Sequence, residues 1–336
     1  MINISFLVPC RNSENTIVGA LDALLAISIE GDEIILIDSS RDSTPQIIRK
    51  YMAEKPELIK YIKCKNDEAL MAKRLIGLKN ASNQYVYFFD SDDLANQKQF
   101  LSIRETLSSN KPDILFFNAI EVSEHSSLRI ILFEGKEDGW LAKETVLSYC
   151  FSNLKIGPLW LKIFKKDLYD INSCPADLLT FSCGEDYFLT LSILKKAKTF
   201  FYSKKSPYKY IHRKGSGFRK ISVQRMLDCL WSVETSLAIA KELGRPDLAN
   251  KYLDANGFCL MYGAILYCYS TSVSYRDFKK NRHIYLDSKA FAITKSKKLF
   301  KHSSAKIRLL ALALKIGLYN LPHKFAKKAM ESINSF

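Results

Sequence analysis

The sequence predicts an α/β protein: a mixed, mostly parallel sheet flanked by helices, followed by an all-helical region. Three observations carry this. Residues 1–93 alternate short apolar runs with amphipathic segments, the pattern of successive βα units. The apolar runs, such as Phe6-Leu-Val and Ile34-Ile-Leu-Ile, are continuous rather than alternating, as strands buried on both faces require. After Ser222 the periodicity is helical only, which puts a boundary near residue 220 and divides the chain into 1–220 and 221–336.

The elements follow in order. Ile4 to Val8 is a first strand, closed by Pro9. Ser13-Glu-Asn-Thr opens a helix through Ile27, with Ile17, Leu21, Leu24 and Leu25 on one face. Glu33 to Asp38 is a second strand, and Thr44-Pro45 starts a helix with proline in its first turn. Leu58–Lys63 is a third strand, Glu68–Ala81 a helix, and Tyr85–Phe89 a fourth strand. Asn96–Ser109 is a helix and Asp113–Val122 a strand, while 123–160 is less regular and suits substrate loops. Glu185–Lys196 is a helix and Phe200–Ile211 an extended aromatic segment. Ala255 to Tyr275 carries no charge, but Asn256, Gly257 and Gly263 interrupt it, so it reads as a buried helix rather than a membrane span.

Charge is concentrated at the C-terminal end. The formal net charge is +15, and from Arg276 onward fifteen Lys/Arg face three Asp/Glu. That asymmetry calls for an anionic partner. An anionic membrane surface fits better than nucleic acid, for which no recognised binding motif is present. Ile307 to Leu321 is apolar between lysine clusters, the pattern of an in-plane membrane anchor within 304–336. The eight cysteines include no C-x-x-C pair and no zinc spacing, so they read as free thiols of a reducing compartment. Ile2 to Val8 lacks a basic leader and reads as a strand, not a signal peptide. These features together predict a cytoplasmic protein held peripherally at the inner face of the cytoplasmic membrane.

The chemistry concentrates at Tyr85-Val-Tyr-Phe-Phe-Asp-Ser-Asp-Asp. An apolar strand there runs straight into three carboxylates, and open α/β sheets bind ligands at the carboxyl ends of their strands. Crowded together, Asp90, Asp92 and Asp93 repel one another, and a hard divalent cation relieves that repulsion. The alternative is a solvated acidic turn. Asp38 ends the second strand, and Glu185-Asp186 opens a helix, where a carboxylate also serves as a plain cap. No G-x-G-x-x-G follows the first strand, which excludes a Rossmann dehydrogenase.

Seven segments in sequence resemble those of bacterial family 2 glycosyltransferases. They are Phe6-Leu-Val-Pro-Cys-Arg-Asn12, Ile37-Asp38-Ser-Ser-Arg-Asp42-Ser-Thr44, Lys73-Arg74-Leu-Ile-Gly77, Phe89-Asp90-Ser91-Asp92-Asp93, Leu159-Trp160-Leu-Lys162-Ile-Phe-Lys-Lys, Gly184-Glu185-Asp186 and Pro207-Tyr-Lys-Tyr210. The resemblance covers residues 3–217 and implies the GT-A (Rossmann-like) fold, with a nucleotide-sugar half at 1–93 and an acceptor half at 94–220. It implies an inverting transfer of a hexose or N-acetylhexosamine from a UDP-sugar to a glycan or lipid-linked acceptor, as in lipooligosaccharide or capsule synthesis. The donor pocket would use Pro9, Asn12, Asp38, Arg74, Asp90, Ser91 and Asp92. Mn²⁺ or Mg²⁺ would sit on Asp92 and Asp90, with His212 a further candidate ligand, and Asp186 would be the general base. Trp140, Trp160 and Glu185 are acceptor-side candidates, although Trp160, among Leu159, Leu161, Ile163 and Phe164, reads first as core.

Two departures qualify the resemblance: Ser39 stands where the family has a second Asp, and Leu75 where it has Asn. The competing readings are a haloacid-dehalogenase-like phosphatase, against which Leu94 stands two residues after Asp92, and an inactive transferase serving as a membrane-bound assembly factor.

Overall fold

A computed structural model describes the chain except residues 66–67, 125, 181–183, 214–230, 232–234, 271–273, 288–290, 292–293, 302 and 335–336. The chain divides into two compact units, one of residues 1–149, 155–181 and 185–214, the other of 150–154, 182–184 and 215–336. The expected boundary near 220 lies outside the described residues.

The first unit is built on one sheet. Its strands are β1 (Ile4–Cys10), β2 (Glu33–Asp38), β3 (Ile59–Lys63), β4 (Tyr85–Phe88), β5 (Leu94–Ala95), β6 (Ile114–Val122), β7 (Ser127–Ile130), β8 (Gly139–Leu141), β9 (Lys162–Lys165) and β10 (Phe200–Ile211). The order is β3-β2-β1-β4-β9-β6-β10-β5, with β7 added on β6 and β8 on β10. The first four strands are parallel, so Cys10 lies beside Asp38, and Leu7 beside Phe88. Every residue of β1, β2 and β4 is buried, which is why those runs carry no alternation. Antiparallel β9 separates β4 from β6, and β6 and β10 are again parallel. The helices are α1 (Ile17–Ile27), α2 (Thr44–Glu54), α3 (Leu70–Asn80), α4 (Gln97–Asn110), α5 (Lys143–Ser152) and α6 (Glu185–Lys196). Helix α1 starts three residues later than Glu14, because Ser13 to Thr16 form a turn around the Ser13 carbonyl. The irregular 123–160 segment contains β7, β8 and α5, so it is not loop throughout.

Two buried cations hold this unit together. Arg104 of α4 is fully buried and grips Asp32 bidentately, at 3.0 and 2.7 Å, while also donating to the carbonyls of Ile2 and Ile27. Planar guanidinium matches carboxylate geometry, so the pair fixes α4 against the entry to β1 and β2. Lys162 of β9 is fully buried too. Its Nζ donates to the carbonyls of Ile156, Gly157 and Pro158 and to Thr190 Oγ1, pinning the segment before β9 to α6.

The second unit is helical where it is described. Its helices α7 (Pro246–Ser270), α8 (Tyr275–Leu286), α9 (Lys297–Lys301), α10 (Ala305–Lys315) and α11 (Asn320–Asn334) include a central α7 against which the other four pack. Among the described residues no helix is long and apolar enough to cross a membrane. The apolar run Ile307–Leu321 is not the single helix its composition implied. Helix α10 stops at a left-handed Gly317 (φ +81°), with Leu318 N–H donating to the Ala313 carbonyl at 2.8 Å and Gly317 N–H to that of Leu314. This is a glycine C-cap, and the chain turns there into α11.

Candidate active site

The turns that follow β1, β2 and β4 are tied to one another. Asn12 takes the left-handed conformation (φ +51°); its N–H donates to Ser40 Oγ at 2.7 Å and its side-chain oxygen accepts from Arg41 N at 2.9 Å. Ser13 N donates to Thr44 Oγ1, and the Ser13 and Ser91 hydroxyls meet at 2.8 Å. Pro9 is buried in β1 opposite Ile37. The expected donor-side residues Pro9, Asn12, Asp38 and Ser91 therefore share one end of the sheet.

Asp38 is fully buried and already engaged. It accepts from Ser40 N at 2.9 Å, Tyr61 OH at 2.9 Å and Lys63 Nζ at 3.2 Å. Beside it, buried Lys73 donates to the Cys10 carbonyl at 2.8 Å and to Ser39 Oγ at 3.1 Å. Burial pulls the Lys73 ammonium below its ordinary range. Sequence reasoning missed Tyr61 and Lys63. Their alternate placement on β3, facing the end of β2, was the available signal.

The three aspartates after β4 differ in environment. Asp93 is buried, accepting from Tyr208 OH at 2.5 Å and from Ile211 N at 2.7 Å. Asp92 is half exposed and pairs with Arg213 at 3.2 Å. Burial pushes the Asp90 carboxyl up; Arg74 opposes this, while Asp92 and Asp186 push it further. Burial, then Asp90 and Asp92, raise Asp93 in the same way. Desolvation is the main cause, and mutual repulsion among the carboxylates adds to it.

Arg74 of α3 joins this cluster to α6. Its buried guanidinium donates to Glu185 at 3.0 Å, forms an ion pair with Asp186, and lies 5.9 Å from the Phe88 ring. Glu185 is buried, whereas Asp186 keeps partial exposure. Asp90, Asp92, Arg74, Glu185 and Asp186 thus form one electrostatic neighbourhood.

Trp160 is buried, as its apolar neighbours predict, and stacks between Tyr208 (4.7 Å, 6°) and Tyr210 (5.7 Å, 8°). This stack backs the aspartates, since Tyr208 bonds Asp93. Trp140 does not join the group. It is exposed on β8 beside Phe201, at the opposite end of β10 from Ile211, about 23 Å away at the strand rise along the paired stretch Leu115–Val122 of β6. His212 lies 3.5 Å from Glu121 and edge-on to Tyr210. Among the described residues no three His, Cys, Asp or Glu side chains are grouped to hold a metal, so His212 does not complete a set with Asp90 and Asp92.

Comparison with known proteins places the fold and the likeness of the chain. Residues 5–140 match the model of Glycosyl transferase family 2. The chain is 26% identical over 253 residues to glycosyltransferase GlyA of Streptococcus pneumoniae serotype 4, covering 72% of this chain and 35% of that protein. It is 27% identical over 218 residues to the poly(ribitol-phosphate) β-N-acetylglucosaminyltransferase TarP of Staphylococcus aureus, covering 62% of each. The chain therefore spans between about a third and just under two thirds of these relatives' lengths. The crystal structure of S. aureus TarS residues 1–349 with UDP-GlcNAc superposes with a TM-score of 0.69 at 18% identity, covering 99% of this chain and 92% of that one, which shows the GT-A-like fold. Over residues 5–140, the chain is similar to glycosyl transferase family 2, the family whose model matches there.

Proposed function

We propose that this chain is an inverting glycosyltransferase that moves a hexose or N-acetylhexosamine from a UDP-sugar to a hydroxyl of a glycan or lipid-linked acceptor in bacterial surface polysaccharide synthesis. The observation that carries the reading is the convergence of Asp90 and Asp92, at the end of β4, with the Arg74-held pair Glu185 and Asp186. TarP acts, by its name, on poly(ribitol-phosphate), and the TarS structure holds UDP-GlcNAc; both support a UDP-sugar donor and a surface-glycan acceptor. The match of residues 5–140 to the glycosyl transferase family 2 model favours the transferase reading over the phosphatase alternative.

The residues present suit a divalent ion. Asp90 and Asp92 supply two carboxylates, and Mg²⁺ is commonly held by one or two carboxylates together with substrate phosphates. Burial and neighbouring carboxylates raise Asp90 and Asp93, and a divalent cation would relieve that repulsion. A bound Mn²⁺ or Mg²⁺ would stabilise the charge of the nucleoside diphosphate leaving group. The protein's own groups do the rest. Asp186 is positioned by Arg74 to accept the proton of the attacking acceptor hydroxyl. Arg74 opposes the repulsion that Asp92 and Asp186 exert on Asp90. The Trp160–Tyr208–Tyr210 stack fixes Asp93 and hence the turn that carries Asp92. One base and one displacement invert the anomeric centre. The strongly basic C-terminal segment supports a location at the anionic inner face of the cytoplasmic membrane.

The test is a panel of UDP-sugars, with donor consumption followed and product stereochemistry read by NMR. Turnover of one donor with inversion supports the reading; no turnover of any nucleotide sugar, or retention, overturns it.

A further inference from the structure

The helical unit contains an apolar surface that its own packing leaves uncovered. Helix α10 buries Ile307, Leu310, Ala311 and Leu314, at the i, i+3, i+4, i+7 spacing of a core-facing stripe. The opposite side is apolar too: Leu309 is 60% exposed, Leu312 44% and Ile316 70%. Beyond the Gly317 turn, Leu318 (60%) and Leu321 (51%) continue the same run. Five large exposed apolar side chains within thirteen residues exceed the scattered singles expected of a monomer's surface.

Charge identifies what covers this corner. Arg308 and Lys315 are exposed on α10, and Lys324, Lys327 and Lys328 on α11. Lys324 and Lys328 follow Leu321 at i+3 and i+7, so the cations extend the exposed apolar strip along α11. The corner is braced from behind by Lys306, whose ammonium lies 4.8 Å from the Phe325 ring centroid and links α10 to α11. A second copy of the chain would bring these cations against their equals. An anionic lipid bilayer takes both features at once, apolar side chains below the headgroups and lysines among them.

We propose that the α10–α11 corner is the membrane-docking surface, with α10 lying in the plane of an anionic bilayer and Leu309, Leu312 and Ile316 inserted. This rests on the membrane location proposed above, but not on the transfer chemistry. It differs from an anchor formed by one continuous helix, because the insertion is confined to the outward side of α10 and the Gly317 turn.

The test uses the full chain and vesicles of phosphatidylglycerol and phosphatidylcholine. Wild type is expected to co-sediment with mixed vesicles, and at least tenfold less with phosphatidylcholine alone. The triple variant Leu309→Ser, Leu312→Ser, Ile316→Ser is expected to lose binding at least tenfold with an unchanged melting midpoint and unchanged UDP-sugar hydrolysis in solution. The variant Lys324→Gln, Lys327→Gln, Lys328→Gln is expected to flatten the salt dependence. Should the serine variant melt early, Leu312→Glu alone serves as the second probe, with the same loss expected. Equal vesicle binding by wild type and the variants overturns the proposal. So does a wild-type dimer in sedimentation velocity that the serine variant dissociates while neither binds vesicles. Loss of hydrolysis across every variant and wild type alike strikes the transferase reading instead and leaves vesicle binding to judge the corner.

Discussion

Arg74 of α3 forms an ion pair with Asp186 at the first turn of α6, and the same guanidinium donates to Glu185 at 3.0 Å. One buried cation thereby serves two carboxylates on a distant helix and faces the aspartates that close β4. Arg74→Ala strands those carboxylates in a desolvated site. We expect a loss of about 3–5 kcal/mol of stability, the cost of breaking a buried pair, read by urea unfolding. Arg74→Lys, without the planar fork, is expected to recover part of that stability and little of the turnover.

Asp186→Asn preserves size and removes the base. UDP affinity is expected to stay within about threefold while turnover falls by about 10²–10⁴, the range for general-base removal. Calorimetry and a donor-consumption assay separate the two effects. Unchanged turnover would remove Asp186 as the base.

Asp92→Ala takes away the more exposed carboxylate of the pair proposed to hold the ion. Titration with UDP in the presence and absence of Mn²⁺ is expected to show metal-enhanced binding in wild type and none in the variant. Chelation of wild type should produce the same loss.

The two tryptophans part company. Trp140→Ala, exposed at the far end of β10, is expected to change neither kcat nor KM by more than about twofold, since surface substitutions rarely exceed ~0.5 kcal/mol. Trp160→Ala removes the middle ring of the Tyr208–Tyr210 stack and is expected to cost about 3–5 kcal/mol. Thermal melts and steady-state kinetics check both.

How much of this was legible in the sequence follows from the physics of each element. Strands β1, β2 and β4 were plain because parallel strands covered on both faces are unbroken apolar runs, and the Asp cluster stood out against one of them. The partners of Arg74 were not legible, because the contact joins α3 to α6 across the fold. Nor was the burial of Lys162 and Arg104, since a charged residue reads as surface until the carbonyls or carboxylate that receive it are known. The strand at Trp140 was not legible because a glycine-flanked, polar stretch looks like a loop, whereas Gly139–Leu141 pairs with β10. In the helical unit, composition alone could not show that Gly317 ends α10, because its left-handed conformation is a property of the fold.

Glu33 supplies a pH signature independent of the active site. Burial alone would raise its carboxyl, but hydrogen bonds from Lys60, Ser5 and Ser82 outweigh this and pull it down from 4.5 to about 2. The folded pKa is depressed, so the unfolded chain binds more protons between the two values. The stabilisation is complete above about pH 4.5 and is lost as pH falls toward about 2. Glu33→Gln is expected to be less stable at pH 7 and to show a shallower loss across that window. Urea unfolding at pH 7, 4 and 3 measures it; parallel curves for the two proteins would contradict the assignment.

The most direct measurement is a crystal structure of the chain with UDP and Mn²⁺, using the anomalous signal of manganese. The account predicts a peak within coordination distance of Asp92 and the diphosphate, with the Asp186 carboxylate facing that diphosphate across the site. A manganese peak remote from β4, or UDP bound with Asp186 turned away from it, would contradict the account.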